Sequence, residues 1–181
     1  MQESQTYLAL LRGINVGGKH ILPMKDLAAI FAESKCAEVR TFIQSGNVVF
    51  SASAEAAKQL PAVIGGRIEQ RFGFSVPVIL RDRKELAKAI RENPFAQQGL
   101  PETALHVYFL ADLPNAAAVK SLDPSRSSPD EFRVVGRHIY LHLPNGMART
   151  KLTSAYFDSK LSTVCTARNW ATTNKLLELM G

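Results

Sequence analysis

The sequence predicts an α+β fold in which one β-α-β-β-α-β order is used twice, and three observations carry that prediction. Short apolar runs of strand length alternate with stretches of helical period. Two pairs of these runs flank a glycine at hairpin spacing, at Ser45-Gly46 and at Gly136-Arg137. The same succession of elements then restarts after residue 103. Two tandem, closely packed ferredoxin-like modules follow from that order.

In the first module, TYLALL (6–11) reads as a buried strand closed by Arg12-Gly13. Pro23 suits the first turn of a helix that places Leu27, Ile30 and Phe31 at helical spacing. VRTFIQ (39–44) and NVVFS (47–51) form the hairpin strands, and residues 54–72 alternate at helical period despite Gly65-Gly66. VPVIL (76–80) is the fourth strand, and Pro77 assigns it to a sheet edge. A linking helix over 83–92 stops at Asn93-Pro94, because the residue before proline disfavours helix. LHVYFL (105–110) opens the second module, followed by a short helix at 115–122 and a polar loop, PSRSSP (124–129). Strands 132–135 and 138–143, a helix at 153–161 and a short strand at 164–166 come next. Asn169 is the expected N-cap of a closing helix that runs through Met180. The expected organisation is a module at 1–82, a linking helix and loop at 83–103, and a module with its closing helix at 104–181. Identity between the halves is negligible, so the repeat is one of element order.

With 181 residues, 46% of them hydrophobic, the chain can bury a substantial core. The formal charge of +6 is spread over both halves rather than gathered in a tail. A mild basic balance of this kind is compatible with phosphate or nucleic-acid partners. Cys36 and Cys165 lie far apart and outside any C-x-x-C spacing, which points to a reducing cytoplasm and away from disulfides or zinc. The N-terminal stretch has no basic n-region and no run approaches membrane-span length, so a soluble protein without membrane partners is expected. TYLALL and VYFL are apolar on both faces, which implies central strands covered on both sides. That coverage argues against an exposed base-stacking sheet, as does the single aromatic in SGNVVF.

Several motifs together carry a family resemblance: YLALLRGINVGGK with LPMKDL after it, VRTFIQSGNVVF, ENPF, IYLHLPNG followed by TKL, TARNW, and KLLEL. In these, and over nearly its whole length, the chain resembles the bacterial domain-of-unknown-function 1697 family. The resemblance implies an α+β fold with duplicated ferredoxin-like halves, and it implies no activity. His20 stands where that family often has Asn, and Ala171 stands where Asn is common.

The stretch RGINVGGKH (12–20) matches the phosphate-cradling pattern G-x-x-x-x-G-K but has His20 where a magnesium-binding Ser or Thr belongs. Ile21-Leu22-Pro23 delay the helix, so its dipole does not point at the loop. A P-loop NTPase is therefore not expected, and the glycines suffice as a connection that needs unusual backbone angles. Topology nevertheless gathers Arg12, Asn15, Gly17, Gly18 and Lys19 near Gln44, Ser45 and Asn47, a set of cations, amides and free glycine amides without a carboxylate. The second module offers a similar set: Asn145, Arg149, Thr150 and Lys151 after its third strand, and Arg168 with Asn169 after its fourth. Such sets suit anions, because arginine offers a fork and backbone amides offer fixed donors. His138 and His142 share a strand face about 13 Å apart, too far for one metal, and neither metal nor cofactor is expected. Ser45 lacks a nucleophile elbow. His106 reads as a hydrogen-bonded core residue, Cys165 as an inert buried thiol, and Trp170 as a packing anchor between the modules.

Three functions remain open on these residues. The first is a binding protein for a phosphorylated small molecule or nucleic acid, with Arg12, Asn15, Gly17, Gly18, Lys19, Ser45, Asn47, Arg149, Lys151, Arg168 and Asn169 as its contacts. The second is an enzyme acting on a small phosphorylated metabolite, with Lys19 and Arg12 as electrostatic stabilisers and His20 as acid or base. The third is an interaction or structural module in which Arg12, Asn47, Arg168 and Asn169 are internal caps.

Overall fold

A computed structural model describes residues 4–181. The first strand, β1 (Ser4–Leu11), leads to α1 (Met24–Glu33), the hairpin β2 (Ala37–Phe42) and β3 (Asn47–Ser53), α2 (Ala54–Phe72) and β4 (Val78–Asp82). Two helices follow, α3 (Arg83–Arg91) and α4 (Pro94–Gln97), with a 3-10 turn at Glu102–Ala104. The order then repeats as β5 (Leu105–Leu110), α5 (Ala116–Lys120), β6 (Glu131–Val135), β7 (His138–His142), α6 (Ser154–Leu161), β8 (Cys165–Asn169) and α7 (Trp170–Leu179). The strands form two antiparallel four-stranded sheets, β2-β3-β1-β4 and β6-β7-β5-β8. This is the ferredoxin-like arrangement in duplicate. The described chain divides into two compact units, residues 4–86 with Leu176–Gly181, and Ala87–Lys175, so the divisions fall inside α3 and α7.

In the first unit, α1 and α2 cover one face of the sheet: Leu27, Phe31, Ile64 and Ile68 pack with Ala9, Leu11, Val48 and Phe50. In the second, Phe157 and Leu161 of α6 pack with Tyr108, Leu110, Ile139 and Leu141. The opposite faces are buried as well, through Leu8, Leu10, Val49 and Ile79 in one sheet and Leu105, Val107 and Phe109 in the other. The doubly apolar character of TYLALL and VYFL has this as its cause. Within the second unit, the Tyr140 hydroxyl donates to the Ala89 carbonyl of α3 at 2.7 Å.

Local chemistry explains most element ends. The Ser53 and Thr153 hydroxyls accept from Ala56 N and Tyr156 N, capping α2 and α6. Helix α2 ends on Gly73 in the left-handed region, φ 76°. It runs unbroken through Gly65-Gly66, and Gly65 lets the Val76 carbonyl approach to 3.3 Å of where a Cβ would stand.

Several bounds differ from the sequence reading. Strand β4 begins after Pro77 and extends to Asp82; Pro77 contributes its carbonyl, which accepts from Arg12 N at 3.1 Å. Strand β2 starts at Ala37 because a bulge between Ala37 and Arg40, with Glu38 at φ 51°, admits the extra residue. Strand β8 reaches Asn169, its polar Arg168 and Asn169 paired with Val107 and His106. Asn93-Pro94 starts a helix rather than merely ending one: the Asn93 carboxamide accepts from Phe95 N, and Pro94 takes the first helical position.

Gly46 has the strictest requirement of any glycine here. Its φ is +77°, and a Cβ added there would lie 2.7 Å from Leu11 Cβ and 3.1 Å from Ile14 Cδ1. Gly46→Ala is therefore expected to destabilise the protein by about 2 kcal/mol or more, combining left-handed strain with overpacking. Gly66→Ala, in α2 with open space around it, is expected to stabilise by about 0.5–1 kcal/mol. Thermal melts of the two variants check the opposite signs.

Candidate functional site

The exit of β1 is pinned from two sides. Leu11 N donates to Gly46 O at 2.8 Å, and Arg12 N to Pro77 O at 3.1 Å. The topology thus brings the 12–22 connection beside the β2–β3 hairpin, as the strand order requires. Ile14 and Leu22 are buried and anchor the two ends of the connection. Between them the chain makes a miniature hairpin, with Asn15 N donating to His20 O and Lys19 N to Val16 O. Gly17 and Gly18, at φ 58° and 72°, occupy the two central positions of a mirror-type turn.

Asn15 clamps that hairpin. Its Oδ1 accepts from Leu22 N at 2.8 Å, and its Nδ2 donates to Leu22 O at 2.9 Å and to Gln44 O at 3.1 Å. The carboxamide therefore joins the turn to the β2–β3 loop, and the left-handed φ of 54° is one that asparagine tolerates. Beyond the clamp, Gly17, Gly18, Lys19 and His20 are exposed. The His20 ring lies on Phe74, with centroids 4.6 Å apart and planes at 19°, and its Nδ1 is 3.1 Å from Gly13 O. Val16 and Ile21 are 65% and 58% exposed, and so is half of Ile43, which holds φ 48° despite its β-branch.

The other residues expected at this end are more internal. Asn47 is fully buried; its Nδ2 donates to Phe42 O at 3.2 Å and to Ser45 Oγ at 2.9 Å. Arg12 is half-buried.

In the second unit, Arg149 and Lys151 are exposed, but their loop is tied to the 124–129 loop. Lys151 N donates to Ser127 Oγ at 2.9 Å, and Lys151 O accepts from Arg126 Nε at 3.0 Å. The Thr150 hydroxyl meets the same Ser127 Oγ, which donates to the buried carboxylate of Asp130 at 2.7 Å. A carboxylate therefore belongs to this group, contrary to the acid-free set expected. Arg168 is only 8% exposed, with Nη1 donating to Thr166 Oγ1 at 3.0 Å and to Ala167 O at 2.7 Å. Burial pushes its guanidinium down to about 10. Asn169 is exposed at the head of α7, where its Oδ1 accepts from Thr172 N at 2.7 Å as an N-cap. Trp170 is buried.

Arg168 has a counterpart absent from the sequence reading. Arg81 is 1% exposed and donates through Nη1 to Leu80 O at 2.8 Å, the carbonyl of the preceding residue, as Arg168 does. The two sit at matching registers, Leu8↔Arg81 and Val107↔Arg168. Each is followed by a helix-capping side chain, Asp82 accepting from Glu85 N and Asn169 from Thr172 N. Likewise Leu10↔Asn47 matches Phe109↔His138, and Leu11 N to Gly46 O matches Leu110 N to Arg137 O. A signal existed: VILRD and CTARN both end in Arg followed by a capping residue.

Two clefts lie elsewhere. One of about 450 Å³ is lined by Ser4, Gln5, Thr6, Asp82, Arg83 and Lys84. Another of about 280 Å³ lies between α1 and α2, with Glu33, Lys35, Gln59 and Arg67 on its walls. Neither includes the 12–20 stretch. Burial pushes the Cys36 thiol up to about 11, which removes it as a nucleophile near neutrality. His106 lies in β5, and its Nδ1 has no hydrogen-bond partner among the described residues. Burial lowers its pKa, opposed by the Ala104 backbone. No helix among the described residues is long and apolar enough to cross a membrane.

Residues 4–140 match the model of a protein family described as "Protein of unknown function (DUF1697)". No curated protein matches the chain. Among solved structures, a conserved bacterial protein from Streptococcus pneumoniae is similar, with a TM-score of 0.76 and 21% sequence identity. The match covers 99% of this chain and 100% of that one, and the likeness is one of fold.

Asn15→Ala is expected to lower stability by about 1–3 kcal/mol, since it strands Leu22 N and two carbonyls; chemical denaturation measures it. His106 titrates with the opposite consequence from a paired histidine. Its folded pKa lies below the ordinary 6.5, so the unfolded chain takes up the proton first and stability falls as pH drops below about 6.5. Melting temperature between pH 7.5 and 5 is expected to decline less steeply in His106→Gln than in the parent.

Proposed function

The chain belongs to the DUF1697 family of proteins of unknown function, and we propose that it is a binding protein for a phosphate-bearing ligand seated on the Val16–Lys19 turn. One observation supports this reading above the others. Gly17 and Gly18 are exposed, and their amides have no hydrogen-bond partner among the described residues, in a turn held by the Asn15 clamp. The Lys19 ammonium beside them is exposed and likewise unpaired among the described residues. Glycine allows a phosphate close to the backbone, fixed amide dipoles favour its charge, and lysine adds a compact cation.

The same geometry sets the strength. Helix α1 begins at Met24, several residues beyond the turn, so its dipole adds little. His20 offers no hydroxyl for magnesium. A single phosphate should therefore bind in the millimolar range, about −4 kcal/mol. Tighter binding requires a second contact, as a nucleotide or a nucleic acid would supply.

Catalysis is less well supported, because Gly17 to His20 are exposed, whereas catalysis on a small substrate calls for an enclosing pocket. The third reading, internal capping, is favoured for Asn47, Arg168 and Asn169 by their bonds to protein groups. The two cysteines, both buried and free, support a cytoplasmic setting.

Titration of the ¹⁵N-labelled protein with inorganic phosphate is expected to move the Gly17 and Gly18 amides with millimolar affinity, equally with and without magnesium. Lys19→Ala should weaken the response roughly two- to fivefold, the worth of one exposed charge. A micromolar, magnesium-dependent response, or silent Gly17 and Gly18 amides, would overturn the proposal.

A further inference from the structure

Resting on that phosphate reading, we infer that His20 is a stacking shelf for a nucleobase, so that the ligand of the turn is an unpaired nucleotide rather than a bare phosphate ester. The two rings of His20 and Phe74 lie nearly parallel at 4.6 Å and 19°. Phe74 is half-buried and His20 exposed, so the histidine forms the outer tier and its free face looks to solvent. The ring cannot swing away cheaply. Its Nδ1 lies 3.1 Å from the Gly13 carbonyl, which can only accept, so Nδ1 carries the proton and the ring is held at that edge.

The backbone beneath it is held in an uncommon conformation, with His20 at φ 50°. That region costs a non-glycine residue about 1–2 kcal/mol. An exposed aromatic in such a conformation recovers little from burial, and strain of this kind gathers at binding sites.

Position supplies the second half of the argument. His20 follows Gly18 by two residues, at most about 7 Å of chain, which lies within the span of one nucleotide from base to phosphate. A base on the His20 face therefore leaves its phosphate within reach of Gly17, Gly18 and Lys19. Residues 12–22 contain no Asp or Glu, so nothing in the turn repels the anion. Exposed Val16 and Ile21 extend apolar surface beside the shelf. Base-on-ring stacking requires a base free of its partner, which selects an unpaired nucleotide over a duplex.

The unpaired nucleotide can be free or part of a single strand, and titration separates the sources. The protein would be titrated with inorganic phosphate, adenosine, adenosine monophosphate, a short single-stranded oligodeoxyadenylate and its duplex, following Gly17, Gly18 and the His20 ring protons. Adenosine monophosphate is expected to bind at least about fivefold tighter than phosphate and to shift the His20 ring protons upfield. His20→Asn keeps a side chain that tolerates left-handed φ and removes the ring. It should abolish the nucleotide's advantage while leaving the phosphate response of Gly17 and Gly18 intact. A single strand that binds more tightly, with affinity falling steeply in salt, assigns the nucleotide to nucleic acid; equal binding assigns it to the free pool. Nucleotide no tighter than phosphate, a duplex equal to the single strand, or an unaffected His20→Asn overturns the shelf and leaves the phosphate reading standing. Gly17 and Gly18 unmoved by every ligand overturns both.

Discussion

The carboxamide of Asn15 makes three hydrogen bonds, two to Leu22 and one to Gln44, and the geometry of the exposed end of the first unit depends on them. Gly13, Asn15, Gly17, Gly18 and His20 all adopt positive φ within eight residues. A chain so contorted holds one shape only if something closes it, because each left-handed non-glycine residue costs about 1–2 kcal/mol locally. Asn15 closes it at the base, buried Ile14 and Leu22 fasten its ends, and the two-residue glycine turn completes the tip. With the base fixed, the tip presents amides, an ammonium and a stacked ring in constant relation. Preorganisation of that sort lets a small exposed surface bind without first being ordered.

Beneath this end lies a repeat more regular than the amino-acid identities suggest. Corresponding strands pair in matching registers, and corresponding amides at the exits of β1 and β5 reach corresponding carbonyls. Arg81 and Arg168 share burial, position and the turn of the guanidinium onto the preceding carbonyl. Burying a guanidinium is expensive unless its donors are satisfied. Its occurrence at the same place in both units is part of the internal repeat, once in each half. The capping residues after them, Asp82 and Asn169, make the same turn from edge strand into helix. By this comparison α3 is the counterpart of α7 as well as a link between units.

Two features that look alike in sequence thus divide in space. Asn15 and Lys19 belong to an exposed turn, whereas Asn47, in the neighbouring hairpin, has its carboxamide turned inward with no exposure. Arg149 and Lys151 remain at the surface of the second unit, while Arg168 lies within its sheet. The Ser127–Asp130 pair beside Lys151 further distinguishes the second group, because it sets a carboxylate close to the position an anion would take.

Hydrophobic period and turn chemistry, both local properties, were enough to order the elements, to duplicate the module and to assign both faces of β1 and β5 to the interior. They also located the cap at Asn169, since a cap is a bond between residues two or three positions apart; the caps at Ser53 and Thr153 emerged from the structure. The sequence alone likewise assembled the 12–19 residues beside the 44–47 hairpin, because strand order follows from element order. Tertiary structure decided which polar side chains face solvent. Burial of Arg81, Asn47 and Arg168 depends on what the opposite sheet face meets, and a charged residue in a short strand carries no periodic signal for that. It also decided the stack of His20 on Phe74, a contact between residues 54 positions apart that no local pattern encodes.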